Sequence, residues 1–404
     1  MTRRILSILL ALLLMTVSTG ALSEAAPVID ARTEFTTQEY QADYDQLWRI
    51  LNTSYPFLAE SGKSPDELEA FRLENRAKIG ESVKDLGEFI QLVKDTCGAL
   101  DNLAHLSVED PFSYSLYVAL LEQGKYEVDD DYIFPLVLDP QTAATYKYMG
   151  AVPFPYTLDV QINQSFTQYP ELDAICFRFP SFFTMFETKS ITQLARTLNY
   201  VRGLKHVIFD ITGNGGGFDA FWVKQIVSAF AEPVEWRFIS YARLTDVTAP
   251  NYTDAELHPL EPDSPLRPAF ADDLGLTHWY ENVYTLPIED YPHIQYDKPV
   301  TRWLLVDEGV YSAADMFTNF CKATGWATVV GHKTGGDGIL GRSPITTRLD
   351  NTGLLFRFTT ETGMHPDGTP SATNGTMPDV LCVPGESPLD TCLQLIKEMN
   401  EAGD

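Results

Sequence analysis

The sequence predicts an α/β protein with a helical region ahead of its sheet. Between residues 37 and 100, apolar residues recur at the spacing of helices. From residue 174 onward, short and continuously apolar runs alternate with helical segments, as in a parallel sheet that is covered on both faces. With 44% hydrophobic residues, the chain has enough apolar side chains for a large core and is expected to be globular.

Residues 1–23 have the pattern of a secretory signal peptide. Arg3 and Arg4 form a basic start, the apolar run "ILSILLALLLMTV" follows, and small residues provide cleavage sites. The run is short for a membrane span, which needs about 20 residues; an uncleaved anchor is the alternative. We therefore expect a secreted or extracytoplasmic protein with no stable membrane span after cleavage of the signal.

Residues 24–108 are predicted to be mainly helical. Ser64, Pro65 and Glu67 have the order of an N-cap, a first helical residue and the partner in a capping box. A later helix is predicted to end at "DNLAHLS", and its apolar positions are Leu86, Phe89, Ile90, Val93, Cys97 and Leu100. Residues 109–171 contain prolines, tyrosines and short apolar runs, and we expect strands and loops there.

Residues 172–395 are predicted to form the α/β domain. Its strands are expected at 174–182, 206–210, 302–307 and 327–331. A helix after the first strand is marked by Leu194, Leu198 and Val201. Residues 233–300 interrupt the alternation with a segment rich in proline, tyrosine and acidic residues. An insertion of this length is more often a lid or a binding loop than a connector, and surface decoration is the alternative.

The composition excludes some partners and cofactors. The formal net charge is -27, and such a surface repels phosphate backbones, so nucleic acid is not expected as a partner. The five cysteines lack the paired short spacing of a metal site, and we predict no metal and no other cofactor. Cys382 and Cys392 could form a disulfide in an oxidising compartment, although the odd total argues against a complete framework.

A run of three glycines follows the apolar stretch 206–210, in "FDITGNGGGFDAFW". Consecutive glycines cost chain entropy, so something must require bare backbone there. Phosphate binding is one use, but neither a G-K-S/T ending nor G-x-G-x-x-G spacing is present. Backbone N–H groups directed at a developing oxyanion are a second use, and a tight turn alone is a third. The helix after the run is predicted to bury Phe221, Trp222, Ile226 and Phe230.

Four motifs in order resemble those of the carboxyl-terminal processing (tail-specific) serine peptidase family, which has the ClpP/crotonase-like fold. "DITGNGGG" is similar to D-x-R-G-N-x-G-G, with Thr212 in place of the arginine, and "VYSAAD" is similar to S-A-S-A-E. "GHKTGGDG" is similar to G-x-x-T-x-G-K-G, and "HPDGTPSATNGTMPDV" to the last motif of the family. The resemblance covers residues 172–380 well and 40–108 loosely. It implies a β-β-α core and a peptidase whose nucleophile is Ser312.

The sequence departs from the family at the general base. Many members use a lysine in T-x-G-K-G, whereas this position is Asp337 here and Lys333 has a different place in the motif. A branch similar to the tricorn core peptidase uses a histidine instead, in a stretch that "LDNLAHLS" resembles, and this implies that His105 is the base. An ordinary histidine, with a pKa of about 6.5, can take a serine proton and return it to the leaving amine. His332 and His365 are the alternatives.

The third catalytic residue and the oxyanion site are less defined. The histidine branch often has a glutamate before its last motif, and this chain has none there; Glu361 and Asp367 lie in the same segment and both stay open. The resemblance implies an acyl-enzyme mechanism on protein or peptide substrates. The N–H groups of Ala313 and Gly216 would hold the oxyanion, and Gly215 would shape the turn.

Two other functions stay open. Interphotoreceptor retinoid-binding proteins are similar to this family and carry hydrophobic ligands without proteolysis. The missing lysine and the aromatic insertion also suit such a non-catalytic protein that binds a hydrophobic ligand or a peptide. An esterase or another acyl hydrolase would share the catalytic machinery. Too few residues separate His105 from Ala174 for a full PDZ domain, so recognition of substrate tails by such a domain is not expected.

Overall fold

The computed structural model describes most of the chain from residue 31 onward. The described residues are 31–122, 124, 128, 132–154, 165–183, 204–230, 232–287 and 300–403. The predicted signal peptide, the helix predicted around residues 194–201 and the end of the insertion at 288–299 lie outside them. In the described part of the chain, no helix is both long enough and apolar enough to cross a membrane.

Helices form the first part of the described chain, as predicted. They are α1 (Thr37–Ser54), α2 (Pro65–Lys78) and α3 (Leu86–Ala99). The predicted capping box begins α2: the N–H of Glu67 donates to Ser64 Oγ at 3.3 Å, and the N–H of Ser64 donates to Glu67 Oε2 at 2.8 Å. The six apolar positions predicted for the later helix are all buried, in one core cluster with residues of α1.

The prediction of strands and loops for residues 109–171 is wrong for the first part of that region. After β1 (Ser107–Val108), the elements found there are α4 (Pro111–Glu122), α5 (Ile133–Leu138) and α6 (Pro140–Tyr148). Pro111 and Pro140 are first helical residues, where the missing N–H costs nothing. Asp110 and Asp139 precede them, and each side chain accepts hydrogen bonds from two N–H groups of the first turn. The two Asp-Pro pairs therefore start helices instead of ending them.

From residue 165 onward, strands alternate with helices. The strands are β2 (Ser165–Tyr169), β3 (Ala174–Arg178), β4 (His206–Asp210), β5 (Val234–Ala242), β6 (His258–Pro259), β7 (His278–Leu286), β8 (Thr301–Val306), β9 (Thr328–Gly331), β10 (Ile345–Arg348), β11 (Leu355–Phe358), β12 (Glu361–Thr362) and β13 (Val380–Leu381). The α-helices are α7 (Asp219–Phe221), α8 (Ala313–Thr324) and α9 (Pro388–Gly403). A π-helical turn (Trp222–Val227) and a 3-10 turn (Ser228–Phe230) extend α7, and its four predicted inner residues are buried.

A six-stranded sheet brings three loops to one edge. Its strand order is β13-β9-β8-β4-β3-β2, in which β2 is antiparallel and the other strands are parallel. Strand β4 is buried along its whole length, as its apolar sequence predicts. Because β4, β8 and β9 are parallel neighbours, the loops at their carboxyl ends meet at the same edge of the sheet. These loops carry the glycine run, Ser312 and Asp337.

A three-stranded sheet attaches the helical region to the α/β domain. Strand β1 pairs antiparallel with β11, with Ser107 opposite Arg357, and β11 pairs with β10. Beyond β11, the N–H of Thr359 donates to the carbonyl of Ala104 at 2.8 Å. His105 and Thr359 are 254 residues apart in the sequence, and this sheet holds their two segments together.

The described part of the insertion, residues 233–287, forms a four-stranded sheet together with β12. The strand order is β12-β5-β7-β6, and β5 and β7 pair along their full length, from Val234 opposite Leu286 to Ala242 opposite His278. The carboxylate of Glu361, at the start of β12, accepts hydrogen bonds from the hydroxyls of Tyr252 and Tyr280. The insertion is thus joined to the domain through a buried polar contact as well as through strand pairing.

The disulfide considered for Cys382 and Cys392 is not formed. All five cysteines are buried free thiols. Cys382 and Cys392 lie in a core cluster with Trp303 of β8 and Ile396 of α9. Their role in this structure is packing between the sheet and the last helix.

Candidate active site

Ser312 lies at the N-terminus of α8, where the chain turns from the loop after β8 into the helix. Its backbone has φ 56° and ψ -127°, a combination that side-chain-bearing residues rarely adopt. The turn presents Ser312 Oγ to His105 Nε2 at a distance of 3.1 Å. The two residues predicted as nucleophile and base are therefore within hydrogen-bond distance, although 207 residues separate them.

The opposite nitrogen of the His105 ring contacts a carboxylate. Nδ1 of His105 forms a short hydrogen bond with Oδ2 of Asp337. Because a carboxylate oxygen accepts, Nδ1 carries the proton, and Nε2 is left to accept the hydroxyl proton of Ser312. The side chain of Asp337 is 0% exposed and that of His105 is 10% exposed. The pair is consequently shielded from water on the side away from Ser312.

Backbone strain is concentrated at these three residues. His105, Ser312 and Asp337 have φ values of 60°, 56° and 61°. Such conformations cost about 1–3 kcal/mol each and are typical of functional sites. Among the described non-glycine residues, positive φ occurs at seven positions. Six are these three residues and their near neighbours in the His105 loop, Asp101, Asn102 and Ala104; the seventh is Asp173. The strain marks the same site independently of any motif.

The glycine run packs against the serine turn. A Cβ on Gly216 would lie 2.8 Å from the Tyr311 carbonyl oxygen and 2.9 Å from Ser312 Cβ, and φ at this glycine is 101°. A Cβ on Gly217 would lie 2.3 Å from the N atom of Phe183. Gly215 has open space around it. Two of the three glycines are therefore required by close approach of the backbone.

The predicted oxyanion donors differ in their present partners. The N–H of Ala313 has no acceptor among the residues that the structure describes, as expected for the first N–H of a helix. The N–H of Gly216 donates to Asn214 Oδ1 at 2.9 Å. The N–H of Gly215 also has no acceptor within the described ranges. One predicted donor is thus free, and the other is engaged in this conformation.

The alternative histidines bind elsewhere. His332 Nε2 lies 3.4 Å from the carbonyl of Glu386. His365 Nε2 lies 3.0 Å from the carbonyl of Asn374. Neither forms a hydrogen bond with Ser312 in the described part of the chain, and the same holds for Lys333. Among the bases considered from the sequence, His105 is the one that the structure brings to the serine.

The two carboxylates considered as third residue also lie elsewhere. Glu361 accepts from the N–H of Gly341 at 2.6 Å, in addition to its two tyrosines, and complete burial raises the pKa of its carboxyl. Asp367 is exposed and accepts from the hydroxyl of Thr369 at 2.7 Å. The carboxylate on His105 is Asp337, which sequence reasoning treated as a missing lysine. The signal for it is the acidic residue itself, in a chain for which the sequence predicts a histidine as the base.

A cavity of about 600 Å³ lies beside α8. Its lining includes Trp236 and Phe238 of β5, Asn319 of α8, and the exposed side chains of Met364 and Met377 on the opposite wall. This volume is in the range of small-molecule and peptide side-chain pockets. The insertion therefore forms one wall of an apolar cavity on the helix that begins at Ser312.

Comparison with known proteins gives a family and a fold. Residues 176–382 match the model of Peptidase family S41. The crystal structure of a candidate peptidase from Parabacteroides merdae ATCC 43184 aligns with a TM-score of 0.53 and 16% identity, over 89% of this chain and 96% of that chain. It has the same fold as this chain.

Two further solved structures align over most of the chain. Mature CPAF has a TM-score of 0.48 and 12% identity, over 90% of this chain and 95% of its own. The photosystem II D1 C-terminal processing protease has a TM-score of 0.41 and 13% identity, over 88% and 97%. A search of curated proteins finds no match.

Proposed function

Because the chain belongs to peptidase family S41 and is therefore a serine peptidase, we propose that Ser312, His105 and Asp337 are its catalytic triad. The observation that carries the proposal is the continuous line of contacts from Ser312 Oγ, through both ring nitrogens of His105, to Asp337 Oδ2. The same three types of residue in the same order of contact perform acyl transfer on several unrelated folds. The substrates are proteins or peptides.

The geometry supports the usual two-step hydrolysis. Ser312 Oγ attacks the carbonyl carbon of the peptide bond while His105 Nε2 takes the hydroxyl proton. The imidazolium then gives this proton to the leaving amine, and the peptide bond breaks to leave an acyl-enzyme ester. A water molecule, deprotonated by His105, releases the acid product and restores Ser312. Asp337 stays ionised and stabilises the imidazolium in both steps.

The oxyanion is stabilised at the N-terminus of α8. The free N–H of Ala313 and the helix dipole both favour negative charge there. Gly216 is the second donor in this proposal, because its Cβ position is only 3.1 Å from the N atom of Ala313. Its N–H would exchange Asn214 Oδ1 for the substrate oxygen. Gly215 shapes the turn that directs this N–H group.

The proposal accounts for the missing lysine. The absence of the lysine favours a non-catalytic binding protein only if no other group activates Ser312. Here His105 Nε2 is within hydrogen-bond distance of the Ser312 hydroxyl, and its Nδ1 contacts Asp337. The signal-peptide pattern of residues 1–23 supports a secreted or extracytoplasmic location. The apolar cavity beside α8 supports a role of the insertion in binding substrate side chains.

Fluorophosphonate labelling of the purified protein tests the nucleophile. Wild type should be labelled and Ser312→Ala should not, because the variant lacks only the attacking oxygen. Ser387→Ala is the matched control, since Ser387 is an exposed serine ahead of α9, and it should be labelled like wild type. Labelling that persists in Ser312→Ala would move the nucleophile elsewhere. A wild type that neither labels nor cleaves any peptide library would favour the binding-protein function.

A further inference from the structure

We infer that Thr359 and Tyr311 are positioning residues that fix the Asp337 carboxylate against His105; the inference rests on the proposed triad. Their hydroxyls donate to the same carboxylate oxygen that meets the imidazole. Thr359 Oγ1 donates to Asp337 Oδ2 at 3.0 Å, and the Tyr311 hydroxyl donates to it at 3.3 Å. In the proposed reaction, neither hydroxyl exchanges a proton with the substrate.

The distribution of donors over the two carboxylate oxygens is unequal. Oδ2 of Asp337 accepts hydrogen bonds from His105, Thr359 and Tyr311, whereas the buried Oδ1 has no hydrogen-bond partner among the described residues. Leaving a buried oxygen unsatisfied is unfavourable. A half turn of the carboxylate only exchanges two equivalent oxygens, but a partial rotation would move the shared oxygen away from both hydroxyls and from His105 at once. The two hydroxyls therefore select one orientation of Asp337, and with it one direction for the His105 Nδ1–H bond.

Thr359 joins the carboxylate to the loop that carries the base. Its N–H donates to the carbonyl of Ala104 at 2.8 Å, and its Oγ1 lies 3.2 Å from His105 Nδ1. The residue is 1% exposed, directly after β11. The Thr359 side chain thus contacts both His105 and Asp337, whose relative position determines how well His105 acts as the base.

Tyr311 joins the same pair to the nucleophile. It precedes Ser312 in the chain, and its hydroxyl accepts from the N–H of His105 at 3.3 Å while it donates to Asp337. Its ring centroid is 5.0 Å from that of His105. Burial, followed by the charge of Asp337, raises the pKa of the Tyr311 phenol, so the hydroxyl keeps the proton that it donates. Tyr311 therefore couples Ser312 and the His105 loop through one phenol.

The experiment compares variants that differ by one hydroxyl. Thr359→Val removes the hydroxyl and keeps the branched shape, Thr359→Ser keeps the hydroxyl, and Tyr311→Phe removes the phenol oxygen. For each variant, kcat and KM on a peptide substrate, the labelling rate of Ser312 and Tm are measured. We expect Thr359→Val to lower kcat about tenfold to a hundredfold with KM within about twofold, since misplacement of a catalytic group by about 1 Å costs up to a hundredfold.

Rescue and non-additivity separate positioning from general packing. Thr359→Ser should recover kcat to within about threefold of wild type, and Tyr311→Phe should lose about tenfold. In an Asp337→Ala background, Thr359→Val should have no further effect, because the residue acts through that carboxylate. A purely structural role would keep its effect in that background.

The outcomes distinguish this inference from the proposed function. An active wild type with an unaffected Thr359→Val and an unaffected Tyr311→Phe would overturn the inference and leave the triad intact. Equal losses in Thr359→Ser and Thr359→Val, or additivity with Asp337→Ala, would also overturn it for Thr359. If Thr359→Val does not fold, Tyr311→Phe decides. An inert wild type would overturn the triad and this inference together.

Discussion

The two halves of the candidate site are held in different ways. Ser312 and Asp337 follow β8 and β9, which are parallel neighbours, so the sheet topology itself brings them together. His105 comes from the loop after α3 in the helical region. It is held by the pairing of β1 with β11, by the Thr359–Ala104 hydrogen bond and by the Tyr55 hydroxyl, which donates to the carbonyl of Leu103 at 2.8 Å. The first half is part of the domain core, and the second half is docked onto it.

The difference separates two requirements of the chemistry. The parallel sheet positions the nucleophile turn and its glycine wall, whereas the position of the proposed base depends on docking of the helical region against β10 and β11. His105 and Asp337 are 232 residues apart in the sequence, so their contact reports on this docking. We therefore expect changes on the helical side to affect the chemistry more than changes in the sheet that cost the same global stability.

The largest expected loss of activity comes from removing the His105 imidazole, the proposed base, from the docked half. His105→Ala should lower kcat/KM by about 10⁵-fold or more, since loss of the triad base leaves only binding and the oxyanion site. Lys333→Ala, which changes the lysine nearest to the family's position, should stay close to wild type. Steady-state kinetics on a peptide substrate checks both. The reverse pattern would assign the base to Lys333 and reduce His105 to a loop residue.

A smaller loss is expected from the sheet-edge half. Asp337→Asn should lower kcat about 10²- to 10⁴-fold with little change in KM, because the amide cannot stabilise the imidazolium and can hold the wrong tautomer. The matched control is Asp390→Asn, which changes an exposed carboxylate in the first turn of α9, and it should retain the activity of wild type. If both variants keep full activity, Asp337 is not a member of the site.

Matched cavities in the two regions sharpen the comparison. Leu106, next to His105, and Leu304, in β8, are both 0% exposed and belong to different core clusters. Each Leu→Ala change should lower the free energy of unfolding by about 2–5 kcal/mol. Below the thermal transition, Leu106→Ala should lose about tenfold in kcat while Leu304→Ala stays within about threefold. Equal kinetic losses at equal loss of stability would remove the distinction between a docked and a built-in half.

The fold was largely predictable because its signals are local. Apolar runs at 206–210 and 302–307 are long enough to be strands and too short for helices, and Ser64 with Glu67 marks a helix start without ambiguity. The Asp-Pro helix starts at 110–111 and 139–140 were missed because a proline can either end a helix or begin one. Which of the two applies depends on whether the next turn finds a core to pack on.

The candidate site was predictable only where motifs carry it. Ser312 and His105 were found through resemblance, and the structure brings them to 3.1 Å. Asp337 was noticed as a departure, but its role depends on a contact across 232 residues that no local pattern encodes. Thr359 has no motif at all. Its contribution follows from the register of β11 against β1, which the sequence does not specify.

The apolar cavity gives a smaller effect that concerns substrate choice. Met377 lines it and is 47% exposed, whereas Met399 on α9 is 48% exposed and lies outside it. Met377→Glu should raise KM several-fold for peptides with apolar side chains, because it replaces an apolar contact in the cavity by a charged group. Met399→Glu should leave the profile unchanged, and neither change should move Tm by more than a few degrees. Identical peptide profiles for the two variants would make the cavity irrelevant to substrate binding.

The last prediction concerns the pH dependence of stability, for which each half offers a buried acid with a raised pKa. Complete burial raises the pKa of Asp315, in the first turn of α8, to about 6, against the hydrogen bonds of Thr334 and Thr376, which lower it. Burial likewise raises the pKa of Glu109, near the His105 loop, against the opposing charge of Arg357. In both cases the folded state binds the proton more tightly than the unfolded state.

This sign fixes the prediction. The stability that each acid contributes is present below its unfolded pKa and is lost as pH rises through its folded pKa, so for Asp315 the loss falls between about pH 4 and pH 6 and amounts to roughly 3 kcal/mol. Asp315→Asn and Glu109→Gln, which stay neutral, should each gain stability relative to wild type as pH rises, by urea unfolding at pH 4 and pH 7.5. A pH-independent difference for Asp315→Asn would mean that the carboxylate is ionised in the folded sheet edge without penalty. A pH-dependent gain for Asp315→Asn alone would mean that Glu109 is ionised in the folded state without penalty, and would contradict the prediction for Glu109→Gln.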